Sequence, residues 1–101
     1  MQSKLMLLVM FAAGTVQAQD PASLQAASLA ANCAACHGTE GRAVAATSVP
    51  GLAGQPAAYL VDQMKAFKGG VRAGTVMNQI AKGYSDAQIE QLAAYFAAQK
   101  K

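Results

Sequence analysis

Residues 33–37 read Cys33-Ala34-Ala35-Cys36-His37, and the meaning of this pentapeptide decides how the rest of the chain is read. On a helical turn, two residues three positions apart lie on one face. Both thiols can then add to the vinyl groups of one porphyrin, and the histidine that follows is placed to bind its iron. C-x-x-C-H is the attachment signal of a covalent c-type haem. It makes the chain a candidate electron carrier, with Cys33 and Cys36 as anchors and His37 as proximal ligand. A C-x-x-C pair also serves as a thiol-disulfide redox centre or as half of a zinc site, and it can form a plain disulfide. The redox reading expects a strand-helix-strand setting, and a tetrahedral zinc site needs ligands beyond two cysteines and one histidine. These alternatives stay open on the motif alone.

The amino terminus has the form of an export signal. Lys4 lies in a short charged region, an apolar run extends from Leu5 to Ala13, and Val16-Gln17-Ala18 is a small-residue cleavage site. Residues 1–18 are expected to be a cleaved signal peptide and residues 19–101 the mature domain. A membrane anchor is the competing reading, but the apolar run falls short of the roughly 20 residues a spanning helix needs. After processing, no membrane insertion is expected.

A domain beginning near Gln19 is too short for two cores, and its own apolar surface stabilises it only marginally. A buried porphyrin, large and flat, supplies the missing centre. The formal charge of +3 includes Lys4, and two haem propionates would offset most of the remainder. Lys65, Lys68, Arg72 and Lys82 are spread through the middle of the chain, without the dense run or aromatic interleaving of a nucleic-acid groove. They are expected on a solvated surface, with a docking patch for a redox partner as the alternative.

No alternating run is long enough for a strand, so the expected fold is all-α. A first helix is expected over Pro21 to Asn32, with Leu24, Ala27, Ser28 and Ala31 as its packing stripe. A second spans Pro56 to Lys68, opened by proline, closed by Gly69-Gly70, and burying Leu60, Met64 and Phe67. Met77, Ile80, Ala81 and Tyr84 share a short helical stripe. Ser85 with Gln88 reads as a capping box for a last helix burying Ile89, Leu92, Ala93 and Phe96. That helix is expected to cross the first, where Ala27, Ser28 and Ala31 allow close approach and Tyr95 or Phe96 fills the crossing.

Gly38, Gly41, Pro50, Gly51 and Gly54 punctuate the stretch after His37, which can wrap closely round a flat ligand. A ligating imidazole needs an acceptor for its second nitrogen. The Pro50 carbonyl is the candidate, an ordinary turn proline the alternative. For the sixth iron position the mature chain offers only Met64 and Met77 as thioethers. Met77 follows a flexible glycine-containing segment, whereas Met64 sits mid-helix on an apolar stripe. Packing of Met77 with Ile80 and Tyr84 is the bland reading.

Taken together, CAACH, the Pro-Gly-Leu-Ala-Gly-Gln stretch from Pro50 to Gln55, the late Met77 and the closing amphipathic helix resemble a class I cytochrome c. The resemblance covers the whole mature chain. It implies a small helical bundle enclosing one haem c, bound covalently through Cys33 and Cys36. It also implies axial ligation by His37 and Met77, with the Pro50 carbonyl holding His37, and attachment of haem after export, hence a bacterial periplasm. The segment Ile80–Phe96, IAKGYSDAQIEQLAAYF, is similar to the first haem domain of the cytochrome subunit of flavocytochrome c sulfide dehydrogenase, which implies a FAD-containing partner. The dihaem form of that subunit carries a second haem motif that this chain lacks. The Pro50–Gln55 stretch is shared with free-standing monohaem shuttles, whose partners include a terminal oxidase or another cytochrome. On either likeness the chain transfers single electrons at a haem edge and is not itself an enzyme.

Overall fold

The computed structural model describes residues 14, 15 and 17–101. The charged start and apolar run of the expected leader lie outside the described residues. Among the described residues five helices follow in order: α1 (Pro21–Ala31), α2 (Ala34–His37), α3 (Ala57–Lys68), α4 (Met77–Lys82) and α5 (Asp86–Ala97), with a 3-10 turn at Thr39–Gly41. Among the described residues there is no strand, and the all-α expectation holds.

The helix starts follow from local chemistry. Asp20 caps α1 by accepting the Ser23 N–H at 2.9 Å, ahead of Pro21 at the first helical position. That bond holds the Asp20 carboxyl below its ordinary value. Pro56 caps α3, so the helix begins one residue later than the proline signal alone suggests. At α5 both halves of the capping box form: Ser85 Oγ accepts the Gln88 N–H at 3.1 Å, and Gln88 Oε1 accepts the Ser85 N–H at 2.9 Å.

Helix α5 packs across α1 and against α3, and α4 packs on α3. The core cluster is Ala30, Leu60, Leu92, Ala93 and Phe96, rimmed by Leu29, Cys33 and Tyr95 among others. Tyr95 and Phe96 meet edge to face, ring centroids 5.2 Å apart. The rotation of α1 differs from the expected stripe. Ala30 is the residue buried against α5, while Ser28 and Ala31 are exposed and Leu24 is half exposed. With alanines at 22, 26, 27, 30 and 31 the apolar profile of this helix is nearly flat. Its rotation is set by the need to bring Leu29 and Cys33 onto the core.

Two of the four expected surface cations also do tertiary work. Lys68 Nζ donates to the Tyr84 carbonyl at 2.6 Å and pairs with Asp86 at 3.3 Å, tying the end of α3 to the start of α5. The Arg72 guanidinium lies 4.5 Å from the Phe67 ring centroid and donates to Gln63 Oε1 at 2.6 Å.

Of the eight buried hydrophobic residues among those described, four are alanine: Ala30, Ala53, Ala81 and Ala93. The polypeptide alone therefore makes a thin core, and Phe96, 4% exposed, is its largest side chain. Phe96→Ala is expected to cost about 3–5 kcal/mol. Denaturant unfolding should show a lower midpoint with little change in slope.

Candidate haem site

Helix α1 runs directly into the CAACH pentapeptide, where Cys33 is the residue before α2 and His37 its last residue. Cys33 is half-buried and Cys36 exposed, both as free thiols. Burial pushes the Cys33 thiol above its ordinary value, since a thiolate there would lose solvation.

After α2 the chain reverses sharply. Gly38 adopts φ 85° and ψ 163°, and Gly41 φ 77°. The Gly41 carbonyl then accepts two amides, from Leu52 at 2.8 Å and Ala53 at 3.1 Å. This double bond of loop to loop fastens the Pro50 segment beside the motif. His37 Nδ1 lies 2.8 Å from the Pro50 carbonyl oxygen. A carbonyl can only accept, so Nδ1 carries a proton there, and in the neutral imidazole that leaves the Nε2 lone pair for a metal.

The motif opens on a cavity of about 810 Å³. Cys33, Cys36, His37, Pro50 and Met77 all line it, as do the apolar side chains Leu60, Met64, Phe67, Ile80 and Phe96. Met64 is thus half-buried at the cavity wall rather than in a protein-only core. Tyr59, Gln63 and Arg72 line it too, and none was singled out by motif. The signal for the first two was present: Tyr59 and Gln63 are one helical turn apart and flank the Leu60, Met64 and Phe67 stripe. No such signal existed for Arg72, whose place depends on the loop after α3.

The residues present fit a covalent porphyrin. Two free thiols sit at the edge of a large, mostly apolar cavity, beside an imidazole whose Nδ1 is held by a backbone carbonyl, the arrangement that orients a metal-binding ring. A core half made of alanine needs a bulky apolar filling. Zinc has no comparable site, because among the described residues no three histidine, cysteine, aspartate or glutamate side chains gather.

The family described as cytochrome c matches residues 24–100. This chain belongs to the cytochrome c family. It therefore carries the family's c-type haem, attached through Cys33 and Cys36, and membership supports a haem-based electron carrier. Cytochrome c-554(548) of Halomonas halodenitrificans is 42% identical over 71 residues, covering 67% of this cytochrome and 84% of that protein. The thiosulfate dehydrogenase electron acceptor of Thiomonas intermedia is 46% identical over 68 residues, covering 67% of this chain but 31% of its own. The cytochrome subunit of sulfide dehydrogenase of Chlorobaculum tepidum is 38% identical over 68 residues, covering 67% and 60% respectively. A solved cytochrome c4 of Acidithiobacillus ferrooxidans superposes with a TM-score of 0.69 at 31% identity, covering 77% of this chain and 50% of that one. The chain thus spans half or less of two of these relatives and most of a third.

Proposed function

We propose that this cytochrome is an exported periplasmic shuttle for single electrons, in which His37 and Met77 would hold the haem iron and the Pro50 carbonyl orients His37. Residues 1–18 act as the cleaved leader and residues 19–101 as the working domain. The bound haem supplies a one-electron ferric–ferrous couple. The chain's residues tune and shelter that couple. His37 offers Nε2 while Nδ1–H is held by Pro50, which keeps the ring oriented and the ligand basic. Met77 offers a soft, neutral thioether, and the apolar wall excludes water; both favour the reduced state and raise the potential above that of a bis-histidine haem. What carries the reading is that Met77 lines one cavity with Cys33, Cys36 and His37. Among the described residues no helix is long and apolar enough to cross a membrane.

The test is expression in a host able to attach haem. The exported chain should begin near Gln19 and carry the added mass of one haem. Its reduced form should bind carbon monoxide only after denaturation. Ready binding by the native reduced protein would rule out a filled sixth position.

A second reading concerns the donor, and rests on two relatives' names: an electron acceptor of thiosulfate dehydrogenase and a cytochrome subunit of sulfide dehydrogenase. On this reading the chain takes electrons from an enzyme that oxidises a sulfur compound, and in the second case from a FAD subunit. Affinity purification from native periplasm separates them. A flavin band beside the haem bands identifies a flavoprotein partner, and haem bands alone identify a shuttle.

A further inference from the structure

Helix α4 has only six residues and Val76, which precedes it, makes no side-chain cap bond. A helix this short does not hold itself. Its first residue is Met77, so whatever fixes the first turn also fixes the thioether. The Asn78 side chain performs that task. Its Nδ2 donates to the carbonyl of Phe67 at 2.9 Å and to that of Arg72 at 2.8 Å, while Oδ1 accepts the Gly74 N–H at 2.7 Å. A carboxamide has two donors on one end and an acceptor on the other. Two carbonyls and one amide face it here, so both of its N–H groups and its oxygen are used, in the one orientation that satisfies all three.

Those partners belong to the end of α3 and to the 69–76 loop that leads into Met77. The loop is fastened at Arg72, whose N–H donates to the Ala66 carbonyl at 3.1 Å. Beyond that point Asn78 holds it closed. Gly74 is drawn in until a Cβ there would lie 2.8 Å from the Phe67 ring and 3.4 Å from Met77 Cβ. A loop that swings Met77 away from the cavity must first break the bonds of the adjoining residue.

We propose that Asn78 is a positioning residue for Met77: its three-way clasp keeps the 69–76 loop closed on α3 and so governs how readily the sixth iron position opens. The inference rests on Met77 being the second iron ligand. An exogenous ligand competes only with the open form, so its apparent affinity scales with the open fraction. Imidazole, titrated into ferric holoprotein and followed optically, is the probe.

Asn78→Ala is expected to bind imidazole roughly 10- to 100-fold more tightly than the unmodified protein, because three hydrogen bonds no longer oppose opening. Asn78→Asp keeps the acceptor for Gly74 but turns lone pairs on two carbonyls, and should shift the affinity the same way. Ile89→Val, a core change away from the cavity, controls for general loss of stability and should leave the affinity unchanged. An Asn78→Ala affinity equal to that of the unmodified protein overturns the proposal, as does an equal rise in Ile89→Val. If the Asn78 variants do not fold, hydrogen exchange on unmodified holoprotein decides. Saturating imidazole should strip protection from the Gly74 amide while Leu92 stays protected, and retained Gly74 protection overturns the clasp. Failure of the ligand reading looks different: Met77→Ala would then leave imidazole affinity unaltered.

Discussion

Met77→Ala is expected to yield a folded holoprotein with an open iron position. Cys33, Cys36 and His37 are untouched, so the haem stays attached and proximally bound. The sulfur–iron absorption of the ferric form should vanish, and carbon monoxide should bind the native reduced protein. The potential should fall by a sizeable share of the roughly 0.8 V span over which axial ligands act, because water or no ligand replaces a thioether that favours ferrous iron. Met77 is half-buried, so the stability loss should sit near the lower end of the range for such truncations, about 2 kcal/mol. Met64→Ala provides the contrast. It lines the same cavity from the middle of α3, and should cost packing while leaving spectrum, potential and carbon monoxide behaviour almost unchanged. A Met64→Ala protein that opens the iron, beside a Met77→Ala protein that does not, would exchange the two roles.

Features whose partners lie within one helical turn were legible in the sequence. CAACH, the Ser85–Gln88 capping box and the proline-opened, glycine-closed α3 all announce themselves locally, and the structure carries the helices within a residue or so of the expected bounds. The rotation of α1 was not legible, because an alanine-rich helix has no strong face and its orientation depends on where Leu29 and Cys33 must go. The tertiary roles of Lys68 and Arg72 were hidden for a related reason. A cation reads as solvated until the loop that brings a carbonyl or ring to it is known, and Tyr84 lies 16 residues from Lys68. Asn78 was silent too, since its three partners converge only once the 69–76 loop has closed. At the haem site the residue types could be named in advance, but the cavity wall of Tyr59, Gln63 and Arg72 required the packing of α3 beneath that loop.

Gly38→Ala is expected to do more damage than any other single-methyl change near the motif. Gly38 is buried at φ 85° and ψ 163°, a region open essentially to glycine alone, where another residue costs on the order of 1–3 kcal/mol. Sterics add to this, since a Cβ would lie 1.7 Å from the Arg42 carbonyl oxygen and 2.6 Å from its carbon. Backbone cannot rotate aside as a side chain can, so the turn at Thr39–Gly41 must open. Opening it moves the Gly41 carbonyl, releases the Leu52 and Ala53 amides, and lets Pro50 drift from His37 Nδ1. A loss of at least about 3 kcal/mol follows, equivalent to a fall of roughly 12–24 °C in Tm for a domain of this size. Gly70→Ala isolates the conformational part. Gly70 also has positive φ, 78°, but a Cβ there meets nothing within 4 Å, so only about 1–2 kcal/mol should be lost. If the two variants melt together, the reversal after His37 does not hold Pro50 in place. If Gly38→Ala alone collapses holoprotein yield, the proximal side of the site is built by the backbone of this turn.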